Sequence, residues 1–145
     1  MDSSFPALDP VRDQLLAEVN RARQSGFQCG EVACPPVPPL SRHVLLDQAA
    51  QAHSEAMAGQ GFFSHVDLAG RSSFDRIRAA GYAFRAAGEN IASGNALAVP
   101  TLKQLLDSVG HCQVIMSALY LHVGIGHARS LHGEHYWTLD FASPA

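Results

Sequence analysis

Phe62-Phe63-Ser64-His65, Gly88-Glu89-Asn90-Ile91-Ala92 and Ser108-Val109-Gly110-His111 punctuate one stretch, residues 62–111, of a chain of 145 residues. Each segment sets a chemically capable side chain beside a glycine or serine that can bend or cap the backbone. Two imidazoles and one carboxylate are therefore spread over three separate segments. They can meet in one cleft only if the fold brings them there.

Upstream of that stretch, Asp9-Pro10 reads as an N-cap followed by proline at the first helical position. Val11, Leu15, Val19 and Ala22 recur at helical spacing, which predicts a helix to about Gln24 that Gly26 ends. Residues 26–40 read as a loop, because Cys34-Pro35-Pro36-Val37-Pro38-Pro39 lacks most of its N–H donors. Ser41 is the expected cap of a second helix, to about Gly59, with Leu46, Ala50, His53 and Met57 on one face. His53 thereby shares a face with core residues and reads as a buried, hydrogen-bonded histidine rather than a ligand. Phe62 and Phe63 are expected to bury against this helix.

Downstream, Ser72 or Ser73 caps a short helix through Ala80, with Phe74 and Ile77 inward, and Gly81 takes the left-handed position after it. Gly94-Asn95 breaks the extended segment around Glu89. Thr101 to Ser108 reads as a helix with Leu102, Leu105 and Leu106 apolar. Residues 120–128 and 134–141 read as strands joined at Gly133. Alternation sets His135 on the face with Trp137, while His127 and His132 are expected to face solvent, with a second metal site among them as the alternative. Helices before and after a few antiparallel strands imply an α+β domain.

Composition sets the outer bounds. A hydrophobic content of 47% against 16% charged residues supports a packed core in one domain, residues 9–145, behind a flexible start at residues 1–8. The net charge of −3 comes with no basic stripe, which argues against nucleic acid as a partner. No apolar run approaches the ~18 residues of a membrane span. The cysteines are Cys29, Cys34 and Cys112, an odd number that leaves one thiol over if a disulfide forms. No Cys-x-x-Cys is present to suggest zinc held by thiolates.

A set of motifs in fixed order adds a resemblance. It comprises Leu16-Ala17-Glu18-Val19-Asn20-Arg21-Ala22-Arg23, the Ala49 to Met57 run with His53-Ser54, and Phe62-Phe63-Ser64-His65. It continues with Arg76-Ile77-Arg78-Ala79-Ala80-Gly81-Tyr82, Gly88-Glu89-Asn90-Ile91-Ala92, Gly110-His111 and Tyr136-Trp137-Thr138. Together they resemble the CAP superfamily (cysteine-rich secretory proteins, antigen 5, pathogenesis-related 1), in its bacterial secreted SCP-like branch, over nearly the whole chain. The resemblance implies a three-layer α-β-α sandwich with a central antiparallel sheet. It implies a cleft made by His65, Glu89 and His111, which in some members holds a divalent metal. Two neutral imidazoles suit zinc, copper or nickel. Glu89 would be a third ligand, or would orient an imidazole from behind.

The same resemblance implies a Cys29–Cys112 bridge, from the Cys-Gly and Gly-His-Cys segments. A local Cys29–Cys34 pair and three reduced thiols remain open alternatives, and the role of Cys34 is open with them. Bacterial relatives commonly carry Trp, Pro and Asn where this chain has Leu105, Val109 and Val114. The only carboxylate near the second acidic position is Asp107.

The function implied is a secreted or periplasmic, monomeric, non-enzymatic domain, with Met1-Asp2-Ser3-Ser4 starting a mature chain. Its partner would be a small ligand, a lipid or a protein. The alternatives are a metal-dependent hydrolase using His65, His111 and Glu89, and a structural protein with a vestigial cleft. No His-Glu-x-x-His or Gly-x-Ser-x-Gly supports hydrolysis. The adjacency of Ser64 to His65, or of His111 to Cys112, does not by itself make a nucleophile and base.

Overall fold

The computed structural model describes residues 8–145. The expected flexible start thus falls outside the described residues except at Leu8, where helix α1 (Leu8–Ser25) already begins. Its buried face carries Leu15, Val19 and Ala22, as the spacing predicts. Gly26, at φ +79°, releases the chain from the helix.

The next segment departs from expectation. In place of a plain loop, β1 (Phe27–Cys29) and β2 (Val32–Cys34) form a small antiparallel hairpin. Gly30 in its turn has φ +60°, and an added Cβ there would lie 2.7 Å from Val109 Cγ2. The prolines that follow run without regular structure up to β3 (Ser41–Arg42). Ser41 is therefore a strand residue, and the cap of α2 (Val44–Gln60) is His43, whose ring nitrogen accepts from the Leu45 N–H. Gly61, at φ +70°, ends that helix.

Ser72 and Asp75 make reciprocal caps for α3 (Ser73–Ala79). After it come β4 (Phe84–Ser93), α4 (Ala98–Leu106), α5 (Val109–Ile115), β5 (His122–Arg129) and β6 (His135–Pro144). The main sheet has the order β3-β5-β6-β4. β6 pairs antiparallel with both β4 and β5, while the two-residue β3 pairs parallel with β5. The expected antiparallel sheet thus gains a short parallel edge.

One face of the sheet presents Val123, Ile125, Trp137, Leu139 and Phe141 to Leu15 and Val19 of α1, Leu102 and Leu105 of α4, and Cys112 and Ile115 of α5. Each large side chain so buried contributes about 1.5–3 kcal/mol. The other face receives α2 and α3, with Leu46, Ile77, Tyr82 and Ala142 buried together. Close approach of α2 needs glycine in β5. A Cβ at Gly124 would lie 1.9 Å from the Leu46 carbonyl carbon, and one at Gly126 2.3 Å from the Ala50 oxygen.

The phenylalanines do not follow the expected pattern. Phe63 is exposed and packs its ring near Tyr136. Phe74 is exposed and lies against Phe84 instead of pointing inward. Phe62 is half-buried, edge-on to His53. Arg23 is fully buried, and its guanidinium donates to the carbonyls of Pro38, Ile115, Ser117 and Tyr120. That tie fixes α1 to the chain leading into β5.

Candidate functional site: a cleft across the edge strand

β4 forms one edge of the sheet, with α3 packed against it from one layer and α4 and α5 from the other. Glu89 and Asn90 are consecutive strand residues and point to opposite faces. Asn90 donates from Nδ2 to the His111 carbonyl, 3.0 Å away, on the α5 side. Glu89 turns the other way, and its side chain is 1% exposed. Its Oε1 accepts from His65 Nδ1 at 2.9 Å. Arg76 of α3 donates Nη1 to Glu89 Oε2 at 2.8 Å and Nη2 to Oε1 at 3.0 Å. The same Nη2 reaches the His65 carbonyl at 2.6 Å. Two neighbouring residues of one strand thereby hold the segments that carry both imidazoles.

His65 and His111 line one cavity of about 440 Å³ together with Phe63, Ser64, Ile91, Gln104, Leu105 and Ser108. Glu89 stands behind His65, not on the cavity wall. A carboxylate only accepts, so the shared proton sits on His65 Nδ1, and in the neutral ring the Nε2 lone pair is free. His111 is held below the ordinary imidazole range, first by burial and then by the nearby His65. Both effects favour neutral imidazole.

Burial alone would raise the Glu89 carboxyl. The hydrogen bond from His65, the adjoining Asp140 and the Arg76 fork instead hold it down to about 2. Asp140 lies directly across from Glu89 in the β4–β6 register. It is fully buried, and neither oxygen has a hydrogen-bond partner among the described residues. Its carboxyl is pushed well above the usual range by burial and by the Glu89 charge. Of the two adjacent carboxyls, the surroundings favour the charge on Glu89 and the proton on Asp140.

Other sequence expectations resolve differently. His53 is buried, as its helical face predicts, and its Nε2 donates to the Ser64 carbonyl at 2.8 Å. Asp107 is exposed and pairs with Lys103 Nζ at 3.1 Å, away from the cleft. His127 does not face solvent: it stacks on Trp137 with ring centroids 4.0 Å apart and bonds His135 at 2.8 Å. Burial and then His135 lower its pKa to about 4. His132 is exposed, as expected. Cys29 is bridged to Cys112, and Cys34 is the free thiol.

Among the described residues, no group of three His, Cys, Asp or Glu side chains is placed to hold a metal ion. Because Arg76 and His65 already occupy both Glu89 oxygens, the donors facing the cavity are the two imidazoles. Sequence reasoning missed Arg76 and Asp140 as members of this network. A carboxylate inside the apolar run from Trp137 to Phe141 was the available signal, since a buried acid needs a partner or a proton.

The sequence matches the CAP family, described as the cysteine-rich secretory protein family, over residues 16–141. The chain belongs to the CAP family. A curated relative, YkwD of Bacillus subtilis, is 31% identical over 103 residues, which are 71% of this chain and 39% of YkwD. The matched stretch thus spans about two fifths of that relative's length. Among solved structures, an extracellular protein containing an SCP domain from Bacillus anthracis superposes with a TM-score of 0.72 at 24% identity, over 90% of this chain and 39% of that one. An outer surface protein of Borrelia burgdorferi gives 0.80 at 15% identity, over 94% of each chain. The crystal structure of NaASP2 with Zn2+ gives 0.65 at 14% identity, over 90% of this chain and 78% of that one. These likenesses establish the α-β-α sandwich. No helix among the described residues is long and apolar enough to cross a membrane.

Proposed function

We propose that this CAP domain is an exported, non-enzymatic binding domain whose ligand enters the His65/His111 cleft. That ligand is a divalent metal of the zinc type, or a small polar molecule that engages both imidazoles. The observation that carries this reading is the 2.9 Å bond from His65 Nδ1 to Glu89. It aligns one imidazole with its Nε2 turned away from Glu89, beside a second imidazole whose neutral form burial favours. Neutral imidazole is the form that ligates metal, and a carboxylate behind it raises its basicity and fixes its orientation. His65 and His111 would hold the metal, with solvent or ligand filling its other positions. The Zn2+ in NaASP2, a protein of the same fold, agrees with this choice. Export agrees with the Cys29–Cys112 disulfide, since such bonds persist in oxidising compartments.

The hydrolytic alternative is less well supported. Glu89, the candidate base, titrates at about 2 and is committed to Arg76, so it is a weak proton acceptor near neutral pH. The Ser64 hydroxyl accepts from the Val66 N–H, and Cys112 is in the disulfide.

Zinc titration calorimetry on metal-stripped protein near neutral pH tests the reading. Micromolar or tighter binding that is lost in both His65→Ala and His111→Ala is expected, with Glu89→Gln weakening it about 10–100-fold. No heat at millimolar zinc, or affinity unchanged in the two histidine variants, would remove the metal from this proposal.

A further inference from the structure

We propose that Cys34 is the attacking thiol of an internal thiol–disulfide exchange that moves the bridge from Cys29–Cys112 to Cys29–Cys34. Cys29 ends β1 and Cys34 ends β2, with Phe27 opposite Cys34 and Val32 opposite Cys29. The two cysteines therefore share one face of the hairpin as diagonal neighbours. Cys34 Sγ lies 3.6 Å from Cys29 Sγ, which is itself bonded to Cys112. The free thiol is thus in van der Waals contact with a disulfide sulfur.

Accessibility favours the internal route. Cys29 and Cys112 are fully buried, while Cys34 is half-buried. A dissolved thiol is screened from the bridge that Cys34 already touches, and a nucleophile held in contact reacts at a high effective concentration. The Cys34 thiol first gives its proton to solvent, because the thiolate is the attacking species. Its electron pair forms the Cys34–Cys29 bond as the Cys29–Cys112 bond breaks. Cys112 leaves with the electron pair and takes up a proton. One disulfide and one thiol stand on each side, and no oxidant or reductant is consumed.

The exchange has a structural consequence, because Cys112 follows His111 in α5. The Cys29–Cys112 bridge is the disulfide tie between the hairpin and the helix that carries this cleft imidazole. When the bridge migrates, the packing of Gly30 against Val109 remains as contact between them. The backbone of residues 109–115 is then held less firmly.

The test uses the full oxidised chain, freed of small thiols and incubated in native buffer at mildly alkaline pH. Samples taken over a day are trapped with N-ethylmaleimide in mildly acidic denaturant, digested, and mapped by mass spectrometry. At the start the label sits on Cys34. The expected result is label accumulating on Cys112 together with a Cys29–Cys34 peptide, at a rate independent of protein concentration. Label confined to Cys34 throughout, or transfer whose rate scales with protein concentration, would overturn the proposal. Cys112→Ser supplies a second measurement. In oxidised glutathione it should close Cys29 to Cys34 and lose both thiols; folded variant that keeps two free thiols would equally overturn it.

Discussion

Replacing Arg76 by Gln tests whether the cleft rests on a buried ion pair. Arg76 and Glu89 have side chains 6% and 1% exposed, so solvent screens their interaction little. The variant loses the two bonds to Glu89 and the bond to the His65 carbonyl, and leaves a buried carboxylate beside Asp140. Breaking one partner of such a pair costs about 3–5 kcal/mol, a large share of the ~5–15 kcal/mol that stabilises a typical domain. The pH dependence reports on all the partners of Glu89 together. The Glu89 carboxyl falls from an ordinary 4.5 to about 2 in the fold, which corresponds to about 3 kcal/mol. A depressed carboxyl contributes that stability fully above pH 4.5 and loses it as pH falls toward 2. Urea unfolding followed by far-UV circular dichroism and by Trp137, which is the sole tryptophan and fully buried, measures both effects. Arg76→Gln should lower stability near neutral pH by about 3–5 kcal/mol and flatten part of the loss on acidification, since His65 and Asp140 also hold the Glu89 carboxyl down. Arg76→Gln with Glu89→Gln should cost less than the two single changes added together. A cost below about 1 kcal/mol, the figure for exposed pairs, or strict additivity, would refute the reasoning.

Two further outcomes follow from the neighbouring packing. Burial and then the Glu89 charge raise the Asp140 carboxyl well above the ordinary 3.8 in the fold. Its contribution is fully present below that value and is lost as pH rises toward the folded pKa. Asp140→Asn should therefore be at least as stable as the parent in thermal melts at neutral pH and lack this loss; strong destabilisation confined to neutral pH would contradict it. Gly126→Ala would press a Cβ to 2.3 Å from the Ala50 oxygen, whereas Gly59 in the same helix as Ala50 has open space around it. Denaturant melts should show Gly126→Ala costing about 1–3 kcal/mol or more and Gly59→Ala neutral or stabilising by up to about 1 kcal/mol; equal effects at both sites would count against the packing argument.

Local chemistry was legible in the sequence, and long-range competition was not. Helix α1, the Gly81 and Gly94 breaks and the β5–β6 hairpin all carry their signals within a few residues. Ser41 has good capping chemistry, but pairing of β3 with β5 claims it and leaves the cap to His43. The β1–β2 hairpin has strands of three residues, too short for alternation to be visible. Gly124 and Gly126 look like gaps in a strand until α2 lies across them. At the cleft, the segments carrying His65 and His111 stand out as motifs. Arg76 sits in a short helix whose pattern suits a solvated cation, and nothing in its neighbours marks the buried carboxylate it meets. His127 looked like a hairpin-tip residue because stacking on Trp137 depends on the strand register.

The ionised state of Glu89 does something that a neutral residue could not. An amide in its place can donate or accept, so it would leave the tautomer of His65 undetermined. A carboxylate accepts only, and it therefore commits Nδ1 to carrying the proton and Nε2 to facing outward. Keeping that charge inside the protein requires a cation, which Arg76 supplies through a fork matched to both oxygens. A second negative charge alongside would oppose it, and the Asp140 carboxyl is raised accordingly, by burial and by the Glu89 charge. The same guanidinium bonds the His65 carbonyl, so it fixes the backbone of the histidine whose ring its partner orients. On the opposite face, Asn90 holds the backbone at His111 without touching the ring. One imidazole is thus set in orientation and tautomer, while the other is anchored through its backbone carbonyl.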